Sequence, residues 1–250
     1  MCTLIAAFHC FPDWPLVVAA NRDERLDRPA SGPLIWEAKA RFMAPRDDAA
    51  GGSWLGLNER GLWVAVTNRF GVARDERRSS RGALVVEGLQ HPDATSLHRE
   101  LGALAPRRFN AFHLFYADAR NAFVTWSDGE RIAQQSLEKG LHIITERSLG
   151  GDDRQRTELI REGWKEVEQG PGALAERLAH LLRIHSKDPV AGTCVHVPAL
   201  NYGTRSSAIL LLGVPLARTE LLWAAGSPCV APYTRQTELI AELLGKRQRH

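Results

Sequence analysis

The alternation of hydrophobic and polar positions predicts two β-hairpins in the first third of the chain. Apolar runs at residues 3–9 and 16–20 flank a segment with two prolines and an aspartate, which is typical of a turn. A second pair of runs, at residues 54–57 and 62–67, flanks an Asn-Glu-Arg-Gly turn. The second strand of each hairpin leads directly into polar residues, so these strand ends are the first candidates for a functional site.

The rest of the chain alternates between helical and strand-like patterns. Apolar residues at helical spacing predict helices at residues 83–89, 94–104, 159–167, 174–184 and 237–244. Strand-like runs occur at residues 109–116, 122–126, 131–135, 141–145, 193–197, 207–212 and 221–225. Strands followed by helices, and then by strands and a helix, indicate an α+β fold. Because no repeat or linker interrupts the pattern, we predict a single domain over residues 1–250.

Composition narrows the range of partners. The chain has 32 basic and 29 acidic residues, a net charge of +3, which is too balanced to indicate nucleic acid or an anionic membrane as the main partner. No apolar run reaches the ~20 residues of a membrane-spanning helix, and the N-terminus lacks the basic and apolar regions of a signal peptide. We therefore expect a cytoplasmic protein with a small-molecule substrate or ligand. Homo-oligomerisation stays open.

The four cysteines, Cys2, Cys10, Cys194 and Cys229, suit that compartment. None of them forms a Cys-x-x-Cys pair, so the spacing does not support zinc or thioredoxin-type redox chemistry. Two histidines on the predicted helix at 174–184 and its end, His180 and His185, are five residues apart and point in different directions. We accordingly predict neither a metal site nor a cofactor.

Cys2 offers distinctive chemistry if Met1 is removed, a step that the small side chain of Cys2 favours. One residue would then carry both a thiol and a free α-amine, whose pKa is ordinarily about 8. Such an amine can act as the base for a neighbouring nucleophile. An arginine close to Cys2 would in addition lower the pKa of the thiol. The alternative is an ordinary small cysteine at the start of a strand.

The polar residues that end the two hairpins are the next candidates. The sequence Asn21-Arg22-Asp23-Glu24 follows the second strand and lies at the same end of the hairpin as Cys2 if the strands pair from that end. A solvent-exposed turn is the alternative. Asn68 ends the second hairpin, where its amide could donate to a developing oxyanion. A local Asx turn would explain it equally well.

Several motifs in order resemble the NRDE family, which is the family of transport and Golgi organisation protein 2. They are Met1-Cys2, Ala20-Asn21-Arg22-Asp23-Glu24, Gly51-Gly52-Ser53-Trp54-Leu55-Gly56, Thr67-Asn68 and Tyr202-Gly203-Thr204-Arg205. The family is in turn similar to the cysteine N-terminal-nucleophile hydrolases, such as bile salt hydrolase and penicillin V acylase. This resemblance implies a four-layer αββα sandwich, in which two antiparallel sheets lie between two helical layers.

The resemblance also implies roles for individual residues. Cys2 would be the nucleophile, and Arg22 and Asp23 would hold the thiol and the amine, although a gapless register would put Asn21 and Glu24 there. The residues implied for catalysis are Cys2, Arg22, Asp23, Asn68 and Arg205. Those implied for substrate binding are Asn21, Glu24, Trp54, Glu146 and Tyr202. Glu146 stands where the hydrolases have a second asparagine, and as a carboxylate it accepts rather than donates. It would pair with Arg22 or Arg205.

Two functions are consistent with these residues. The first is a cysteine N-terminal-nucleophile hydrolase that cleaves a non-peptide C–N bond of a small molecule through a thioester. The second is a non-catalytic carrier of haem or of an acyl or lipid-like ligand in the same pocket, because members of the family have been linked to haem trafficking and to lipid metabolism. Glu146 counts against standard amide hydrolysis, and the sequence names no substrate.

Overall fold

The computed structural model describes residues 2–148 and 153–245, and within them two seven-stranded sheets form the centre of the molecule. All strand pairs are antiparallel. The strands are β1 (Cys2–Phe11), β2 (Trp14–Arg25), β3 (Ala30–Trp36), β4 (Phe42–Asp47), β5 (Leu55–Asn58), β6 (Trp63–Asn68), β7 (Phe112–Ala117), β8 (Ala122–Ser127), β9 (Ile132–Ser136), β10 (Gly140–Thr145), β11 (His196–Val197), β12 (Tyr202–Leu212), β13 (Glu220–Ala224) and β14 (Thr234–Arg235).

The order of strands differs between the two sheets. The first sheet runs β10-β1-β2-β12-β13-β14, with β11 added to one end of β12. The second sheet is a meander in which β3 to β9 follow one another in chain order. The first sheet thus places the N-terminal hairpin between two strands that arrive much later in the sequence. Residues far apart in the chain can therefore meet at the end of β1.

The helices of the described residues lie on the outer faces of both sheets or, in one case, beside the core between the sheets. They are α1 (Arg81–Gly88), α2 (Ala94–Leu101), α3 (Arg154–Gln169), α4 (Leu174–Leu181) and α5 (Thr237–Leu244). Helices α1 and α2 pack on the second sheet, and α3 and α4 pack on the first. The inner faces of the sheets meet in a third core, which α5 closes at one side. The predicted α+β fold with four αββα layers is confirmed.

The strands of the first sheet are apolar on both faces because both faces are buried. Along β1, Leu4 and Phe8 face the second sheet, whereas Ile5 and Ala7 face the helices. This period of two is the alternation that a strand imposes on successive side chains. It continues into the polar ends of the strands and decides which side chains enter the cleft between the sheets.

Some predicted elements differ from the structure. The sequence pattern missed β3 and β4, which contain Pro33 and Pro45. Proline cannot donate to a strand ladder, but β3 lies at the edge of its sheet and its pairing shifts between Ser31 and Leu34, which leaves room for Pro33. The strand predicted at 193–197 is reduced to β11, and the helix predicted at 94–104 ends at Leu101.

In the described parts of the chain, every helix is too short or too polar to cross a lipid bilayer.

Candidate functional site

The N-terminal hairpin places Cys2 directly opposite Arg22. Strands β1 and β2 pair with Cys2 against Arg22 and Thr3 against Asn21, as expected if the hairpin strands pair from the end that carries Cys2. Since Ala20 packs between the sheets and Ala19 packs on the helices, the alternation turns Arg22 toward the inter-sheet side. Met1 lies outside the described residues.

Asp23 is the most buried carboxylate of the hairpin, with 3% of its surface exposed. Thr204 Oγ1 donates to Asp23 Oδ1 at 2.6 Å, and the hydroxyl of Tyr202 donates to the main-chain oxygen of Asp23 at 2.9 Å. The guanidinium of Arg156, itself fully buried, lies 4.0 Å from Asp23 Oδ2. Burial is the largest influence and raises the pKa of Asp23 to about 6, although the positive charge of the chain's N-terminus, the hydrogen bond from Thr204 and the charge of Arg156 oppose it.

Arg22 is fixed on three sides. Its guanidinium carbon lies 4.3 Å from the centre of the Trp54 ring, a cation–π contact. Its Nη2 is 3.7 Å from carboxylate oxygens of both Glu24 and Asp47. Arg28 also binds Asp47, at 2.9 Å. The predicted site residues Arg22, Glu24 and Trp54 thus form one cluster, which Asp47 completes.

The charge of Arg22 lowers the pKa of the Cys2 thiol, as expected of a nearby cation, but the net shift of that pKa is upward. Burial raises the pKa of Cys2, and the charge of Asp23 adds to the rise. The positive charge of the chain's N-terminus opposes this rise most strongly. Arg22 and the backbone N–H of Asp23, which hydrogen-bonds to the thiol, also oppose it, but together these influences do not reverse it. The net rise favours the protonated thiol, so a base would assist a reaction at Cys2.

A polar cleft of about 430 Å³ opens beside Arg22, between the end of β2, the end of β6 and the start of α1. Asn68 ends β6 and lines this cleft with an exposed side chain. The cleft is cationic in the part of the chain that the structure describes. Its charged lining residues are the arginines Arg22, Arg28, Arg74, Arg78 and Arg81 and the carboxylates Glu24 and Asp47.

The sequence pattern missed most of these cleft residues. Residues 71–82 had the composition of a solvated loop, yet Arg74, Arg78 and Arg81 come from it. Arg81 interacts electrostatically with Cys2, and burial lowers the pKa of Arg81. A close approach of two backbones brings this segment to the site: a Cβ on Gly52 would lie 2.6 Å from the carbonyl carbon of Gly82. Glycine is therefore required where the Gly51-Gly52-Ser53 turn meets the start of α1.

The predicted substrate-binding residues Asn21 and Tyr202 lie outside the cleft, as does Glu146. The side-chain amide of Asn21 donates to the carbonyl oxygens of Leu182 and Thr193, at 2.9 and 2.7 Å, on the helical side of the sheet. Tyr202 makes its hydroxyl contact with the backbone of Asp23. Asn21 and Tyr202 therefore hold the hairpin against the adjacent segments of the first sheet. Neither the amide of Asn21 nor the hydroxyl of Tyr202 contacts Arg22.

Glu146 and Arg205 also differ from expectation. Glu146 is buried, with 8% exposed, and its charge contributes to the raised pKa of Asp23, so it lies near that carboxylate as the pairing of β10 with β1 requires. The expected ion pair with Arg22 or Arg205 is wrong. Among the described residues, Arg22 pairs with carboxylates other than Glu146, and Arg205 Nη2 donates to the carbonyl of Arg28 at 3.3 Å. Arg205 occupies the bulge of β12 and lines a smaller cavity of about 90 Å³ next to Arg22 and Trp54.

Comparison with family models decides the family. Residues 1–214 match the model described as "Transport and Golgi organisation 2". The chain belongs to the transport and Golgi organisation 2 family. The resemblance to this family, also called NRDE, is therefore confirmed.

Curated relatives agree with this assignment. Transport and Golgi organization protein 2 homolog of Bos taurus is 28% identical over 228 residues, which cover 79% of this chain and 82% of the relative. The Homo sapiens protein of the same name is 30% identical over 110 residues, 43% of this chain and 40% of that protein. These names refer to transport and Golgi organisation and state no enzymatic activity.

Solved structures of a bile acid hydrolase, an acid amidase and an acylase share the fold. Conjugated bile acid hydrolase from Clostridium perfringens aligns over 98% of this chain and 94% of its own, with a TM-score of 0.59 and 10% identity. The N-acylethanolamine-hydrolyzing acid amidase ortholog of Caenorhabditis elegans aligns over 84% and 92%, with a TM-score of 0.57 and 13% identity. Penicillin V acylase from Agrobacterium tumefaciens aligns over 89% and 82%, with a TM-score of 0.52 and 15% identity. The likeness shows the N-terminal-nucleophile hydrolase fold.

Proposed function

We propose that the protein is an N-terminal cysteine hydrolase that cleaves a linear amide C–N bond of a small molecule. The observation that carries this proposal is the position of Cys2, which starts β1 opposite Arg22 and next to Asp23 in the fold of amide-hydrolysing enzymes. Removal of Met1 is part of the proposal, because only a terminal Cys2 carries a free α-amine beside its thiol.

The α-amine supplies the base that the protonated thiol requires. It accepts the thiol proton while Cys2 Sγ attacks the carbonyl carbon of the amide, and the resulting oxyanion takes hydrogen bonds from donors such as the amide of Asn68. The tetrahedral intermediate then expels the amine, which takes the proton from the α-ammonium, and a thioester remains on Cys2. Water, deprotonated by the same α-amine, hydrolyses the thioester and releases the acid.

Asp23 acts on the α-amine in this scheme. Its carboxylate lies beside Cys2, close enough for its charge to raise the pKa of the thiol. A carboxylate in that position holds the α-ammonium that forms during attack. The hydrogen bond from Thr204 and the nearby Arg156 keep Asp23 in place.

The cleft favours a substrate with an anionic group near the scissile amide. Arginines from two segments line it: Arg22 and Arg28 from the end of β2 and the turn that follows, and Arg74, Arg78 and Arg81 from the segment that leads into α1. Guanidinium groups bind carboxylate, sulfonate and phosphate oxygens through paired N–H donors. Five arginines against two carboxylates leave the cleft lining with a net positive charge, which attracts an anionic substrate more strongly than a neutral or cationic one.

The test combines intact mass spectrometry with an acyl-transfer assay. Purified protein is weighed to establish that it begins at Cys2, and is then incubated with a panel of N-acyl amides that carry either anionic or neutral amine portions. We expect release of the amine from anionic members, and a covalent acyl adduct on Cys2 after rapid acid quenching. Cys2→Ser and Cys2→Ala should abolish the adduct. Cys10→Ser is the matched control, because Cys10 lies near the opposite end of the same strand.

Two outcomes would contradict the hydrolase proposal. The first is a purified protein that wholly retains Met1, because Cys2 then has no free α-amine. The second is turnover that survives in Cys2→Ala, because that reaction does not use the thiol. Cleavage of neutral amides alone would leave the hydrolase proposal standing and remove the assignment of an anionic substrate.

A non-catalytic carrier is the second candidate, and the charge of the cleft is the observation that favours it. The arginines can hold an anionic ligand, such as the carboxylates of haem or the head group of an acyl or lipid-like molecule, without any reaction at Cys2. Calorimetry with such ligands separates the two functions. A carrier binds with equal affinity in the wild type and Cys2→Ala and forms no acyl adduct.

A further inference from the structure

Four side chains with metal-binding atoms converge at a place remote in sequence from the N-terminal hairpin. His185, Cys194 and His196 come from the segment that follows α4, and Cys229 comes from the loop after β13. Their ligand atoms all lie within 4.8 Å of one another. The shorter separations are 3.2 Å between His196 Nε2 and Cys229 Sγ, 3.4 Å between His196 Nε2 and Cys194 Sγ, and 3.6 Å between the two sulfurs.

These separations match the edges of a zinc tetrahedron. With Zn–S near 2.3 Å and Zn–N near 2.0–2.1 Å, tetrahedral geometry puts two sulfurs about 3.8 Å apart and a sulfur and a nitrogen about 3.5 Å apart. A disulfide would require the sulfurs at about 2.05 Å. We propose that His185, Cys194, His196 and Cys229 bind one zinc ion through two thiolates and two imidazoles.

The local surroundings suit a metal better than a set of ordinary hydrogen bonds. In the part of the chain that the structure describes, the contacts of His196 Nε2 are the two sulfurs, and a thiol is only a weak donor or acceptor. The rings of His185 and His196 lie 5.2 Å apart between their centres and are tilted by 32° to each other. Soft thiolates combined with imidazoles in a tetrahedron select zinc over the hard cations magnesium and calcium.

The site joins two segments that have little regular structure. Residues 182–195 form a long connection between α4 and β11, and residues 225–233 connect β13 to β14. With four protein ligands no coordination position is left for a substrate, which is the arrangement of a structural rather than a catalytic zinc. The ion would therefore fasten the two loops together, independently of the reaction proposed at Cys2.

The sequence hid this site because its spacing is irregular. Zinc sites that are recognised from sequence usually pair two ligands over two to five intervening residues, whereas here only Cys194 and His196 are close, with one residue between them. His185 looked like a poor partner for His180 on a helix. In the structure α4 ends at Leu181, so His185 lies beyond the helix and reaches a different set of residues.

Metal analysis of the intact protein tests the proposal. The wild type and Cys10→Ser are purified without chelators. Inductively coupled plasma mass spectrometry is expected to find about one equivalent of zinc in each protein. Cys229→Ser removes an exposed ligand, so it should fold and should lose most of the zinc; His185→Gln should do the same. Replacement by cobalt(II) should give the visible spectrum of a tetrahedral site with thiolate ligands in the wild type. A chelator should lower the Tm of the wild type but leave that of Cys229→Ser unchanged.

Three results would overturn the proposal. The first is wild-type protein that remains free of zinc after exposure to stoichiometric zinc. The second is zinc retained by Cys229→Ser to the same extent as by Cys10→Ser. The third is a disulfide between Cys194 and Cys229 in protein purified under anaerobic, reducing-agent-free conditions, since an oxidised pair cannot provide two thiolates.

Discussion

The buried carboxylate of Asp23 predicts a specific dependence of stability on pH. Its pKa rises from an ordinary value of 3.8 to about 6 on folding, chiefly because burial disfavours the charged form. Between these values the folded protein holds a proton that the unfolded chain has lost. Folding is therefore favoured by this proton below about pH 4, and the contribution disappears as the pH rises through about 6.

The size of the effect follows from the shift. Each pKa unit corresponds to ~1.4 kcal/mol, so the rise from 3.8 to about 6 amounts to about 3 kcal/mol of stability lost between low and neutral pH. Asp23→Asn cannot titrate and should lack this loss. The level of stability will also change, because Asn is a different partner for Thr204 and Arg156. The slope against pH, not the level, is therefore the measurement.

Denaturant unfolding at a series of pH values between about 4 and 7 gives the free energy for the wild type and Asp23→Asn. The difference, variant minus wild type, should increase by roughly 2–2.5 kcal/mol over this range, because the unfolded chain has already begun to lose its proton at pH 4. Asp13→Asn is the control, since Asp13 is exposed in the turn between β1 and β2, and its curve should parallel the wild type. If the free energies of unfolding of Asp23→Asn and the wild type change in parallel with pH, or if their difference falls as the pH rises, Asp23 is not a buried group with a raised pKa.

Three further perturbations test other parts of the site. Glu146→Gln removes a charge that raises the pKa of Asp23. The pH at which the contribution of Asp23 to stability is half lost, its pH midpoint, should therefore move downward, and an unchanged value would mean that the charge of Glu146 does not act on Asp23. Asn21→Ala deprives two buried carbonyl groups of their donor and should cost roughly 2–4 kcal/mol in denaturant unfolding, whereas a loss below about 1 kcal/mol would mean that water replaces the amide. Gly52→Ala puts a methyl group 2.6 Å from Gly82 and should destabilise the fold by roughly 1–3 kcal/mol; a thermal melt identical to that of the wild type would refute this close approach.

The apolar elements of the fold could be predicted because their patterns are local. The runs that became β1, β2 and β6 are continuous and bounded by turns, and their pairing follows from the short connections. Strands β3 and β4 could not be predicted in the same way, because prolines interrupt their apolar runs. Pairing with the adjacent strands of the meander makes them strands although their own pattern is ambiguous.

The sequence predicted only those site residues that belong to the strands of the N-terminal hairpin or to the ends of predicted strands. Cys2 and Arg22 follow from the register of one hairpin, but Arg81 reaches the same place through the contact between Gly52 and Gly82. One signal was available and unused: Arg156 stands in helical register with Ile160 and the other buried residues of α3, and an arginine on a buried face requires a partner. Its partner is the carboxylate of the candidate site.

Strand β12 connects the candidate active site to the proposed zinc site through a single hydroxyl. Thr204 Oγ1 donates its one hydrogen to Asp23 Oδ1 and accepts from the N–H of Val195 at 2.8 Å, between the ligands Cys194 and His196. The accepted bond holds the hydroxyl in the orientation in which it donates to Asp23. That donation lowers the pKa of Asp23 relative to burial alone. If zinc fixes the segment that carries Val195, its removal should weaken the bond and move the pH midpoint of Asp23 upward. Unfolding curves measured with and without chelator should show this shift in the wild type and not in Cys229→Ser. A shift of equal size in both proteins would mean that the chelator acts elsewhere and that the two sites are independent.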